Sequence, residues 1–451
     1  MICILKMRKL ILLIVLTFNI LPLVAHDYKP CGTSVIARRH KNINEKSGGS
    51  VFAKTRQSAQ EEIRHYEGEK KGLIILVEFP DAHFASTLKD PLQTWTDIAN
   101  KQGYSENGAF GSVSDYFYNQ SYGKFRLTFD VVGPVMAAHN HGYYGENVDW
   151  GDNNWFDKNV GELVEEACKG VADKVRFADY DWDDDGEVDQ VFLLYAGRGE
   201  NDYGRKDSTV IWPHMASLML DWEGYEKGIV IQGKRINIYA CSNEIWSNAE
   251  KPHLAGIGTF CHEFSHCLGL PDLYNTEDET SVLGDYDLMD YGSYLGEGWC
   301  PVGYSSYERY VCGWLTPEPT DNPAIITDLL PLHKNPDVRI YRTSADANDY
   351  FLIECREKDS WDRYFPTPGL LAWHIDYDAE AWAMNVVNND PNHLRVETVD
   401  LNMIPTSISD RATDERQIIG AYDLQGRPVD ISSSRFIIVR YSDGTTKKII
   451  R

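Results

Sequence analysis

The apolar positions of this chain fall in short bursts set between polar turns. Leu73-Ile74-Ile75-Leu76-Val77 and Val191-Phe192-Leu193-Leu194-Tyr195 are continuous apolar runs of the kind a buried strand gives. Phe125 to Val132 alternates apolar and polar residues in strand fashion. Ser112-Val113-Ser114-Asp115 reads as a helix start, with Ser112 as cap and Asp115 near the N3 position, and a helical segment spans Val160 to Val171. Strands and helices alternating in this way predict a mixed α/β (α+β) unit. Past Trp314 the pattern changes: Arg339 to Tyr341, Tyr350 to Glu354 and Leu370 to Ile375 are strand-like runs between Pro, Gly and Asn turns. The tail adds Phe436 to Tyr441 and Lys447 to Ile450 around Asp443-Gly444, a hairpin-type turn. A β-rich C-terminal region is therefore expected.

The N-terminus sets the compartment. Lys6, Arg8 and Lys9 precede an apolar stretch from Leu10 to Val24 that ends on Ala25, the pattern of a secretory signal peptide over residues 1–25. Asn19 and Pro22 interrupt that stretch, which is short for a membrane span. Residues 26–70 are polar and poor in large apolar groups, as a weakly structured pro-segment would be. The expected product is exported, secreted or held at the cell surface. A net charge of -24 over 451 residues argues against nucleic acid and anionic lipid as partners, since both would repel it. The nine cysteines follow no zinc-ribbon spacing and are too sparse for a disulfide scaffold. Cys261 and Cys267, on one helix, do not face each other.

The chemistry sits between them. His262 and His266 are four apart, so on a helix they lie on one face and can ligate one metal, with Glu263 beside them where its carboxylate can deprotonate an attacking water. The chain continues Cys267-Leu268-Gly269-Leu270-Pro271-Asp272. Gly269 can take the left-handed conformation that ends a helix, and Pro271 keeps the helix from resuming, so Asp272 can return as third ligand of a zinc ion. The competing third ligand is a glutamate further on, such as Glu297. The turn Gly284 to Gly292 carries Met289, and Tyr291 could hydrogen-bond the oxyanion of a tetrahedral intermediate. Asp181, Asp183, Asp185, Glu187 and Asp189 stand at positions 1, 3, 5, 7 and 9 of a loop with Gly186 at 6, a spacing that wraps oxygens round calcium; the twelfth position is Phe192, not the usual Glu.

The run from His262 to Asp272 and the Met289 turn resemble metzincin proteases, which place a third ligand and a methionine floor at these points but usually carry His where Asp272 stands. Leu73 to Asp81, Gly111 to Phe117, Gln120 to Lys124, Tyr180 to Asp189, Tyr350 to Arg356 and Gly369 to Asp376 extend the likeness, and together these stretches resemble the immune inhibitor A family of bacterial metalloproteases. The resemblance implies a zinc endopeptidase made as a latent precursor, with a metzincin-like catalytic domain over 71–316 and the β-rich match continuing over 317–415. It implies His262, His266 and Asp272 as zinc ligands, Glu263 as general base, and protein or peptide substrates. Ala421 to Arg427 with Val439 to Ile450 resembles a type IX secretion sorting signal, here placed over 416–451, which implies that machinery as a partner. Latency is expected from the polar segment, through Cys31 of Pro30-Cys31-Gly32 as a thiolate plug or through a carboxylate such as Glu61, Glu62 or Glu67. The alternative reading, a catalytically inactive adhesin or glycan-binding protein on the same fold, has no use for Glu263 beside the metal.

Overall fold

The computed structural model describes residues 63–401 apart from 86, 150–154, 203–208, 223, 247–251, 322, 324–325, 327–328 and 343–345. It also describes Thr33, Glu61, Ile404 and three strands near the C-terminus. The expected leader, Cys31, Glu62 and nearly all of 26–60 lie outside the described residues.

Six strands form one mixed sheet: β1 (Gly68–Glu78), β2 (Phe125–Met136), β3 (Val191–Arg198), β4 (His214–Ser217), β5 (Ile238–Trp246) and β6 (His253–Leu254). Their order is β6-β5-β3-β1-β2, with β4 pairing antiparallel to β5. β2, β1, β3 and β5 are mutually parallel, in register Gly68 to Phe125, Ile74 to Phe192 and Ala240 to Phe192. Parallel central strands need cover on both faces, which is why β1 and β3 read as continuous apolar runs. Leu73, Ile75, Val77 and Leu193 enter one core with Leu163 and Val164 of the helix α3 (Val160–Gly170). Ile74, Leu76, Phe192 and Leu194 enter the other, with the helices α1 (Pro91–Asn100), α2 (Val113–Gln120) and α4 (Gly258–Cys267). α2 starts with the expected capping box between Ser112 and Asp115.

α4 is seated by aromatic packing against the sheet. Phe260 stacks on Phe192 with ring centroids 3.7 Å apart, and Phe264 meets Phe129 at 5.7 Å and Phe117 at 4.9 Å. Every residue from Gly258 to His266 is buried. β1 begins at Gly68, before its apolar run. The residues ahead of it, expected in a loosely structured segment, are packed instead: Arg64 N–H donates to Val311 O at 2.7 Å, Tyr66 Oη to Leu268 O at 3.1 Å, and Trp314 Nε1 to Tyr66 O at 2.8 Å.

The expected β-rich region follows the helix α5 (Ser306–Val311). It is a five-stranded sheet of β7 (Glu318–Pro319), β8 (Arg339–Tyr341), β9 (Asp349–Arg356), β10 (Gly369–Asp376) and β11 (Val396–Val399) in sequence order, with the helix α6 (Ala379–Ala383) between its last two strands. Tyr350, Leu352, Trp373 and Trp382 join the same core as α4, so the two sheets share one apolar interior. β12 (Ile418–Tyr422), β13 (Phe436–Tyr441) and β14 (Thr446–Ile450) form a separate antiparallel sheet, with β13 and β14 paired as the sequence pattern predicts. Cys261 and Cys267 form no disulfide. Among the described residues no helix is long and apolar enough to cross a membrane.

A buried arginine ties the second sheet to the first unit. Arg356 donates to Gly303 O at 2.7 Å and Tyr304 O at 3.0 Å while pairing with Glu354 at 3.2 Å and Asp362 at 3.1 Å, all fully enclosed. Arg356→Ala removes the buried positive charge and a donor from two carboxylates and two carbonyls, and should cost about 3 kcal/mol or more in urea unfolding. Lys334→Ala, which removes half-exposed pairs with Glu357 and Asp359, should cost less than about 0.5 kcal/mol in the same measurement. Equal midpoints for the two variants would contradict the assignment.

Candidate metal centre

α4 can start where it does because residue 258 is glycine: a Cβ there would lie 1.8 Å from Ser293 O. The backbone N–H groups of Ile257 and Gly258 donate to Gly298 O at 2.9 and 2.8 Å and fix the entry of the helix. One turn apart on its inner face, His262 and His266 bring their rings to 4.8 Å between centroids, nearly perpendicular. Each Nδ1 faces a backbone carbonyl, Leu288 O at 2.8 Å for His262 and Leu270 O at 2.7 Å for His266. A carbonyl only accepts, so each Nδ1 carries the proton and each Nε2 presents a lone pair to the interior.

The return of the chain is the predicted one. Gly269 has φ 83, its N–H donates to His266 O at 2.7 Å, and Leu270 N–H donates back to Ser265 O at 3.1 Å. Asp272 arrives fully buried with Oδ1 3.2 Å from His262 Nε2 and 3.3 Å from His266 Nε2. The three groups lie within 4.8 Å of one another. Burial alone would raise the Asp272 carboxyl, and only positive charge beside it, carried by the two rings or by an ion among them, holds it below the ordinary range. Two imidazole lone pairs and a carboxylate oxygen aimed at one point require a cation among them, and two nitrogens with one oxygen suit zinc. The residues therefore fit the metal that the motif implies.

The surroundings separate the expected residues. Met289 is fully buried and its carbonyl accepts from Leu273 N–H at 2.9 Å, so the methionine turn underlies the ligand loop; the preceding Leu288 carbonyl holds His262. Glu297 is not a ligand in this arrangement. Its side chain is 80% exposed and its charge partner is His253 at 3.9 Å. Glu263 is fully buried and lines a pocket with His262, Thr259, Asn201, Tyr274 and Tyr291. Tyr291 Oη donates to Glu279 O at 3.4 Å at the wall of that pocket.

Three partners escaped the sequence reading, each joined to its site across a long stretch of chain. Thr33 is buried with its hydroxyl 3.3 Å from Glu263 Oε2, and it accepts from Met215 N–H on β4 at 2.8 Å. Asn385 holds Asp272 from the second sheet, Nδ2 to Oδ2 at 2.6 Å. Lys234 lies 2.5 Å from Asp181 in the acidic loop. Of the carboxylates offered as alternatives to a Cys31 plug, Glu61 is engaged elsewhere, bonded by Tyr307 at 2.8 Å and by Tyr350, and Glu67 is exposed. In the acidic loop Asp181, Asp183 and Asp189 converge. Asp185 and Glu187 do not join them: Asp185 accepts from Glu187 N–H at 2.8 Å, and Glu187 accepts from Asn237 at 3.1 Å.

The comparisons with known proteins agree with this geometry. The family model described as immune inhibitor A peptidase M6, catalytic domain, matches residues 59–311. The pre-pro-metalloprotease PrtV of Vibrio cholerae serotype O1 is 27% identical over 276 residues, covering 53% of this chain and 29% of that protein. Immune inhibitor A of Bacillus thuringiensis subsp. alesti is 24% identical over 272 residues, covering 53% of this chain and 39% of its own. The alignments thus take in well under half of either relative's length. The family match runs from the residues before β1 through α5 and includes His262, Glu263, His266 and Asp272, and on it the chain belongs to the immune inhibitor A peptidase family, M6.

Proposed function

We propose that the chain is an exported zinc-dependent endopeptidase acting on proteins or peptides. The observation that carries the reading is the convergence of His262 Nε2, His266 Nε2 and Asp272 Oδ1 beside the buried Glu263. A bound zinc would polarise the scissile carbonyl and lower the pKa of the attacking water towards neutrality. Glu263 then accepts the water's proton and returns it to the leaving amine. Tyr291, which lines the same pocket, would turn from Glu279 O to donate to the oxyanion. The signal peptide supports export, and the tail strands support a type IX sorting signal as the route. Glu263→Gln should retain zinc and lose about 10²–10⁴ in peptide hydrolysis. A chelator should abolish wild-type hydrolysis, and zinc should restore it. Hydrolysis by Glu263→Gln at the wild-type rate would remove Glu263 from its role.

For the acidic loop we infer a structural calcium ion held by Asp181, Asp183 and Asp189 beside the Lys234 ammonium. The lysine already offsets one of these charges, so calcium should add stability without entering the chemistry. Withdrawing calcium should lower the melting temperature of the wild type, and Asp183→Ala should abolish that response. A wild type that melts alike with calcium and with a calcium chelator would overturn the calcium reading.

Latency is read from Thr33. A hydroxyl from the N-terminal segment that engages both the base and edge strand β4 blocks the approach of water and substrate to Glu263. Thr33→Glu sets a second carboxylate against Glu263 and should unseat the segment, raising hydrolysis by the unprocessed chain several-fold. Continued silence of that variant, with activity appearing only after proteolytic trimming, would move the block to another residue.

A further inference from the structure

We propose that Asn385, from the β-rich region beyond the family match, is a positioning residue for the metal-binding set: it fixes which oxygen of Asp272 faces the two histidines. The inference rests on the zinc reading above. Asn385 is fully buried and grips Asp272 at two points. Its Nδ2 donates to Asp272 Oδ2 at 2.6 Å, and Asp272 N–H donates to its Oδ1 at 2.7 Å. The second bond fixes the orientation of the carboxamide, because only its oxygen can accept from an N–H; the amide nitrogen must then face the carboxylate. With Oδ2 held in this way, Oδ1 is the oxygen presented to His262 and His266.

The backbone at this position points the same way. α6 ends in a Schellman pattern: Val386 N–H donates to Ala381 O at 2.9 Å and Asn385 N–H to Trp382 O at 3.1 Å, with Asn385 at φ 55. That left-handed site favours glycine, and asparagine is one of the few residues with a side chain that tolerates it. Here the side chain is the part that reaches the ligand. The turn after Asn385 reinforces the hold on the same loop. Thr276 Oγ1 donates to Asn385 O at 2.9 Å, Thr276 N–H to Asn389 Oδ1 at 2.8 Å, and Asn388 Nδ2 to Leu273 O at 2.8 Å. The third ligand thus stands in a loop stitched, from Asp272 to Thr276, to the turn that follows α6. Hydrogen-bond partners of metal ligands are commonly worth about 10–100-fold in metal affinity.

Asn385→Gly keeps the left-handed turn and removes only the carboxamide, and Asn385→Asp keeps the size and one acceptor but cannot donate to Oδ2. Zinc affinity, measured by competition with a chromophoric chelator, should fall about 10–100-fold in both. The visible spectrum of the cobalt-loaded protein should shift as the oxygen donor loosens. Thermal unfolding of the metal-free glycine variant should stay close to wild type, separating positioning from folding. Wild-type zinc affinity and an unchanged cobalt spectrum in Asn385→Gly would overturn the proposal, and if that variant does not fold, the same result in Asn385→Asp would do so. A wild type that binds neither metal overturns the zinc reading together with this one, whereas a wild type that binds while both variants match it overturns this one alone.

Discussion

Two imidazole nitrogens and a carboxylate oxygen, 3.2 and 3.3 Å apart in a pocket closed to solvent, form the constraint around which the catalytic unit is organised. Each of these atoms presents electron density to the others, and burial removes the water that would screen them. Such a cluster persists only if every member is locked from behind and a cation is at hand in front. The locks are all backbone or amide groups: Leu288 O behind His262, Leu270 O behind His266, Asn385 behind Asp272. None of these partners needs a charge of its own, so the site keeps its negative character for the metal.

Supplying those locks dictates much of the local architecture. Leu270 O can reach His266 only because Gly269 reverses the chain at φ 83, and a Cβ there would sit 2.9 Å from the Arg64 guanidinium. Leu288 O reaches His262 because the methionine turn passes beneath the helix, itself tied to the ligand loop through Leu273 N–H and Met289 O at 2.9 Å. The helix can tolerate this crowding on its inner face because its other face is clamped by Phe192, Phe129 and Phe117 against the sheet. Rigidity at the site is thus drawn from apolar packing on the far side of α4.

What could be read from sequence is what is local. The capping box at Ser112, the buried runs of β1 and β3, the pairing of β13 with β14, and the return of the chain from His266 to Asp272 each involve neighbours within a dozen or so residues, where spacing translates directly into geometry. The packing of residues 63–66 was missed because its contacts run to Leu268, Val311 and Trp314, and polar composition says nothing of a backbone that pairs at long range. Asn385, Thr33 and Lys234 carry no periodic or motif signal. A lone asparagine after a short helix looks like a turn residue, and it is one; its second task depends on a fold that brings residue 385 to residue 272. In the acidic loop the spacing proposes five ligands; Asp181, Asp183 and Asp189 converge, while Asp185 accepts from the loop's own backbone and Glu187 from Asn237.

The two long-range contacts fall on opposite sides of one short stretch of chain. Thr33 reaches Glu263 from before the family match, and Asn385 reaches Asp272 from after it. They differ in what their removal does. Thr33 is held to Glu263 and to Met215 N–H by hydrogen bonds that water can replace. Asn385 stands behind Asp272, buried beside a core shared by both sheets, where water has no access to replace its donation to Oδ2. The first contact is therefore suited to be broken once, on activation, and the second to be kept. By this argument the β-rich region belongs physically to the unit that holds His262 and His266, since the Asp272 carboxylate beside them is gripped from there.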